Sequence, residues 1–128
     1  MSLDKPLILV VDDEAHILHV VSLKLQHAGF RVITAGDGEE ALGLAIKHEP
    51  MLVITDFQMP LMTGLELCRR LKLHKQTCET PCIMITARGH NLLDEDYRET
   101  NIALVMSKPF SPREVLAQVD ALLNSANY

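Results

Sequence analysis

Four stretches of this sequence set reactive polar side chains directly after a short apolar run. Leu7 to Val11 leads into Asp12, Asp13 and Glu14, and Met51 to Thr55 leads into Asp56. Cys82 to Ile85 leads into Thr86, and Ile102 to Met106 leads into Ser107, Lys108 and Pro109. If the runs are neighbouring strands, Asp12, Asp13, Asp56, Thr86 and Lys108 converge on one edge of a sheet. Three clustered carboxylates repel one another and cannot all stay ionised without compensation. A hard divalent cation supplies it, and Mg²⁺ typically takes a few carboxylates, a carbonyl and several waters. Lys108 adds a second positive charge. Metal and lysine together would neutralise a phosphoryl group, a hydroxyl would donate to one of its oxygens, and one aspartate could act as nucleophile, forming an acyl phosphate.

The positioning of these groups depends on the elements between them. The strand-like runs alternate with helical stretches, and the runs are continuously apolar, as suits strands buried on both faces of a parallel sheet. After Asp13, Leu18, Val21, Leu25 and Ala28 mark one helical face that Gly29 ends in the C′ position. Arg31 to Ala35 is the second strand. Asp37 offers a cap for a helix over Glu39 to His48, with Leu42, Ala45 and Ile46 inward and Pro50 ending it. The third helix spans Leu65 to Leu73 after a turn around Thr63 and Gly64, and His74 to Thr80 is loop-like. The segment from Gly89 to Asn101 reads as a fourth helix with Leu92, Leu93 and Tyr97 as its apolar side. Ser111, Pro112 and Glu114 form a capping box that opens the last helix, whose buried stripe is Val115, Val119, Leu122 and Leu123.

Strict strand–helix alternation predicts an α/β fold: a flavodoxin-like, doubly wound, five-stranded parallel sheet in the order 2-1-3-4-5, with five helices. Residues 1–128 make one domain, with a folded core over roughly 5–125. Hydrophobic residues are 48% and charged residues 23% of the chain, the profile of a folded globular domain. The net charge of −5, without a Lys/Arg cluster, argues against direct nucleic-acid binding. No apolar run is long enough for a membrane span, the first residues lack the apolar stretch of a secretory leader, and the expected location is the cytoplasm. Cys68, Cys78 and Cys82 are an odd set with only C-x3-C spacing, which suits reduced structural thiols better than zinc.

The set Asp12-Asp13, Asp56-x-x-Met59-Pro60-x-x-x-Gly64, Thr86-Ala87 and Lys108-Pro109-Phe110 resembles the receiver domain of two-component response regulators, in order and spacing and over essentially the whole chain. The resemblance implies that Asp56 accepts a phosphoryl group from a sensor histidine kinase or phosphotransfer protein. It implies an Mg²⁺ site of Asp12, Asp13, Asp56 and the Gln58 backbone carbonyl, with Asp13 the more direct of the acidic pair. Thr86 would hydrogen-bond the phosphoryl group, Lys108 would pair with it, and small Ala87 would leave access to the aspartate. Gln58 and Arg88 fall at positions that tune the lifetime of the phosphorylated state, and Pro109 matches a cis peptide. The implied role is signalling without turnover catalysis: the domain promotes its own phosphorylation and dephosphorylation and switches a downstream output domain or protein. The fourth helix and fifth strand would form a dimer face.

Two features depart from the family pattern. Val105 stands where an aromatic side chain usually follows the threonine, and Glu99 to Ala103 lacks the usual Ala-Gly-Ala stretch. Taken singly, the site residues also have ordinary roles: Asp12 or Asp13 as helix caps, Asp56 as a turn residue, Thr86 at a strand end and Lys108 as a surface charge. Two rival functions follow. A phosphorylation-independent adaptor would keep the fold without the chemistry. An Asp-nucleophile phosphohydrolase would place a second acid two residues after the nucleophile, where this chain has Gln58. His16 and His19 are three apart on a helix but have no evident third metal ligand.

Overall fold

The computed structural model describes residues 5–87 and 91–125, so Arg88 lies outside the described residues. Five strands form one parallel sheet: β1 (Leu7–Val11), β2 (Arg31–Ala35), β3 (Leu52–Asp56), β4 (Cys82–Thr86) and β5 (Ile102–Ser107). Their order is β2-β1-β3-β4-β5, as the alternation predicts. The helices are α1 (Ala15–His27), α2 (Gly38–His48), α3 (Gly64–Lys72), α4 (Asp94–Arg98) and α5 (Pro112–Ser125).

Every residue of β1, β3 and β4 is buried, because helices cover both faces of the sheet. Side chains alternate between two cores, since successive strand residues point to opposite faces. Leu9, Val53 and Met84 pack with Ala41 and Ala45 of α2 and Leu67 and Leu71 of α3. Ile8, Ile54 and Ile83 pack with Val21 and Leu25 of α1 and Val115 and Val119 of α5. The edge strands β2 and β5 are only partly buried. Among the described residues no helix is long and apolar enough to cross a membrane.

Local chemistry sets the helix ends. Asp37 caps α2 by accepting from the Glu40 amide at 2.8 Å, and Thr63 caps α3 by accepting from Glu66 at 3.1 Å. The capping box at α5 closes in both directions, Glu114 N–H to Ser111 Oγ at 3.2 Å and Ser111 N–H to Glu114 Oε1 at 2.7 Å. Gly29 ends α1 with φ at 101°, a left-handed conformation that glycine adopts without penalty. At the end of α2 it is Glu49, φ 48°, that turns left-handed before Pro50. The Lys108–Pro109 peptide is cis, as the resemblance implies.

Several sequence expectations need correction. Ala28 is exposed rather than inward, because α1 ends one residue before it. The fully buried stripe of α2 is Gly38, Ala41 and Ala45, with Leu42 and Ile46 at its flanks. Leu73 lies beyond α3 and is exposed, as is Met51 before β3. Within the described residues the fourth helix is a single short turn, Asp94–Arg98, that does not run on to Asn101; Gly89 and His90, where the expected helix begins, lie outside the described residues. Its start is fixed when the Asp96 carboxylate accepts from the Leu93 amide at 2.9 Å, and Thr100 Oγ1 donates to the Asp96 carbonyl at 2.8 Å just past its end. Leu92, Leu93 and Tyr97 do not make the buried stripe a longer helix would need: Leu92 packs on the core, whereas Leu93 and Tyr97 face solvent. The short helix is tied to α3 through Arg69, which reaches Asp96 at 2.6 Å and Glu99 at 3.0 Å.

Candidate functional site

The carboxyl ends of β1 and β3 are neighbours, because β1 pairs with β3 and Val11 lies opposite Thr55. Asp12 and Asp56 are the next residues after that pair, so their side chains arrive together. One carboxylate oxygen from each of Asp12, Asp13 and Asp56 lies within 4.8 Å of the others. Among the described residues this is the one acidic, His or Cys cluster compact enough to hold a metal ion. His16 and His19 contribute nothing to it and are exposed on α1.

The two halves of the acidic pair differ. Asp12 is buried and its Oδ1 accepts from the Glu14 amide at 2.9 Å, whereas Asp13 is exposed and lines the open cleft above Asp56. Burial pushes the Asp12 carboxyl up from 3.8 to about 6, and the Asp56 charge adds to this against the Glu14 amide. Asp56, 4% exposed, is likewise raised by burial, while Lys108 pulls it back down. For Lys108, burial would lower the pKa, but contact with Asp56 outweighs it and the net shift is upward.

Lys108 Nζ stands 3.1 Å from Asp56 Oδ1. The contact is a close ion pair in a buried setting, and hydrogen bonding from the lysine holds the Asp56 carboxyl down against the effect of burial. One ammonium leaves the combined charge of three clustered carboxylates only partly compensated, which favours a further cation. With Asp12 sharing the environment of Asp56, the donor set fits a hard divalent ion: oxygen ligands, an excess of negative charge and an open side toward water.

Gln58, Pro60, Thr63 and Lys108 also line the cleft, and Gln58 is exposed at its mouth. Thr86 stands apart from this group. It is buried at the end of β4, and its hydroxyl donates to the Ala87 carbonyl at 2.8 Å. The Lys108 amide bonds the Thr86 carbonyl at 2.8 Å, which fixes Lys108 beside β4. Val105 pairs with Met84 across β4 and β5 and packs against the α2–α3 core.

Two contributors were not legible as such in the sequence. Glu14 lines both the acidic cleft and an apolar recess beside it, which Ile17, Ala87, Pro109 and Phe110 share. Gly64 holds the first turn of α3 against the end of β3, its amide donating to the Phe57 carbonyl at 2.9 Å. A Cβ there would lie 3.1 Å from Phe57 Cα and nearer still to the Asp56 carbonyl oxygen, so backbone would have to move. The Pro60-x-x-x-Gly64 spacing held the signal, but only the packing reveals why the residue is glycine. Gly64→Ala is expected to cost about 1–3 kcal/mol through this overlap. The urea midpoint measures it, and an unchanged midpoint would show that α3 shifts freely.

The fold and the acidic cleft define a doubly wound α/β domain with an oxygen-rich candidate cation site at the carboxyl edge of its sheet. A family model described as response regulator receiver domain matches residues 8–120, and the chain belongs to that family. It is 41% identical over 116 residues to the alkaline phosphatase synthesis transcriptional regulatory protein PhoP of Bacillus subtilis, covering 91% of this chain and 48% of that protein. It is 36% identical to the phosphate regulon transcriptional regulatory protein PhoB of Pseudomonas aeruginosa, covering 91% and 51%. The chain thus spans about half the length of these curated relatives. Among solved structures, the chemotaxis response regulator CheY4 of Vibrio cholerae superposes with a TM-score of 0.83 at 33% identity, covering 91% of this chain and 98% of that one. Receiver domains are signalling domains rather than turnover enzymes, and they work with histidine kinases and output domains.

Proposed function

We propose that this chain is a single phosphoacceptor domain in which Asp56 takes a phosphoryl group from a phosphohistidine of a sensor kinase or phosphotransfer protein. The observation that carries the reading is the buried Asp56 carboxylate held 3.1 Å from Lys108 beside two further carboxylates. In the reaction, the phosphorus–nitrogen bond of the donor breaks as a phosphorus–oxygen bond forms to Asp56. The electron pair stays on the imidazole nitrogen. Lys108 would neutralise a phosphoryl oxygen as its partner carboxylate loses charge. Thr86 would leave the Ala87 carbonyl and donate to another oxygen, so phosphorylation would change which contacts hold the ends of β4 and β5.

Mg²⁺ would be held by Asp12, Asp13, Asp56 and the Gln58 backbone carbonyl, and when bound it would offset their charge and that of the phosphoryl oxygens. Exposed Gln58 offers no acid for a leaving group, which disfavours the phosphohydrolase, and a charged site this complete has no purpose in a phosphorylation-independent adaptor. The same residues would promote both gain and loss of the phosphoryl group, at a cytoplasmic location where kinase and phosphodonor are found. The relatives named above are transcriptional regulators, so the matching output here is a DNA-binding partner or domain, with exposed Leu93 and Tyr97 offering apolar contacts for a dimer through the α4–β5 face.

Beryllofluoride mimics an acyl phosphate on aspartate. With Mg²⁺ it is expected to raise the melting temperature by several degrees, because a ligand bound only by the folded state stabilises it. The shift should vanish without Mg²⁺. No shift in either condition would overturn the reading.

A further inference from the structure

We propose that Leu61 is a specificity-determining contact for the phosphodonor: the apolar group that a phosphohistidine-bearing protein covers when it delivers its phosphoryl group to Asp56. This rests on the phosphoacceptor reading. Leu61 is 99% exposed. Isolated surface leucines are ordinary and need no explanation. Leu61 differs because its φ is 71° and the Met62 amide donates to the Pro60 carbonyl at 2.7 Å, a γ-turn of the rare, strained positive-φ kind with leucine at its centre. Glycine or asparagine would sit there with less strain. Leucine therefore meets an unfavourable backbone and finds no apolar neighbour within the domain.

The turn itself has a structural purpose. It sends Met62 into the core, where Met62 is 5% exposed, and delivers Gly64 to its close fit behind Asp56. That purpose calls for the turn and not for leucine. The position of the side chain supplies the missing reason. Pro60 and Thr63, on either side of it in the chain, line the cleft that leads to Asp56. Asp56 is 4% exposed at the floor, so a donor histidine must reach down into the cleft. An imidazole is short, and the donor's own surface must then close on the rim that carries Leu61. An apolar patch beside the phosphohistidine would bury Leu61, whereas a small acyl phosphate would not touch it.

The test compares two donors on the full chain: acetyl phosphate, and the autophosphorylated histidine kinase domain that transfers fastest to wild type in a screen of such domains. Leu61→Asn should keep or raise the melting temperature and react with acetyl phosphate as wild type does. Its kcat/KM with the kinase domain should fall about tenfold or more, mainly through KM, the expected effect of losing one buried leucine contact. Leu61→Met should restore transfer, since it returns the apolar contact. Equal transfer by wild type and Leu61→Asn from both donors would overturn the proposal, as would a parallel fall with both. Failure of wild type to accept from acetyl phosphate would overturn the phosphoacceptor reading and the proposal with it.

Discussion

Asp56→Asn is expected to take up no phosphoryl group from any donor while melting a few degrees above wild type in the absence of metal. Asparagine keeps the shape of the side chain but offers neutral atoms of low nucleophilicity, and removing a nucleophile typically costs at least about 10³-fold. The stability gain has a separate origin. Asp56 is buried beside Asp12, with exposed Asp13 close to both, and its charge is one of the causes that raise the Asp12 pKa. A neutral residue removes that repulsion. Lys108 loses its partner, but its side chain is 35% exposed and water can take over. Loss of uptake together with a higher melting temperature is the signature of a site strained for function. Labelled phosphoryl incorporation and a thermal melt in EDTA measure the two halves. Undiminished incorporation would place the acceptor elsewhere, and a lower melting temperature would mean the Lys108 pair outweighs the repulsion.

The second large effect is a pH-dependent response to magnesium. Asp12 has a folded-state pKa of about 6 against 3.8 unfolded. Between those values the folded state holds a proton that the unfolded state has released, so metal-free stability falls as pH rises through this window. The full difference, set by burial first, is about 3 kcal/mol above pH 6. Magnesium acts in the opposite sense, because it needs the ionised carboxylate. At pH 7.5 and a concentration about a hundredfold above its dissociation constant, it should stabilise by ~2.7 kcal/mol, roughly 10 °C for a domain of this size. At pH 5 most Asp12 carries a proton and the apparent affinity should be about tenfold weaker. Melting curves with EDTA and with Mg²⁺ at both pH values check this, and Asp12→Asn should flatten the metal-free pH dependence, leaving the part that Asp56 contributes. Equal magnesium shifts at pH 5 and 7.5 would show that Asp12 does not hold the ion.

The architecture was legible because its signals are local and strong. Leu7 to Val11, Leu52 to Ile54 and Cys82 to Ile85 are continuously apolar since helices cover both faces of the central strands, and the polar residues that follow these runs lie at one edge. Caps at Asp37 and Ser111 are read from residue type and spacing alone, since each acts over three residues. The fourth helix was overread for the converse reason. Its boundaries come from the Asp96 carboxylate, shared between the Leu93 amide and Arg69 of another helix, and no periodic pattern announces such a contact.

Within the site, residue types and order specified which groups meet, because parallel topology brings successive strand ends together. What only the tertiary structure decided is how unlike those groups are. Asp12 and Asp13 are adjacent and chemically identical in the sequence, yet one is buried against the Glu14 amide with a carboxyl raised to about 6, and the other faces solvent. Likewise nothing in Pro60-Leu61-Met62 indicates that the leucine stands fully exposed in a left-handed turn while the methionine beside it is buried. Burial and charge coupling depend on distances between segments far apart in the chain, and those distances exist only once the sheet has formed.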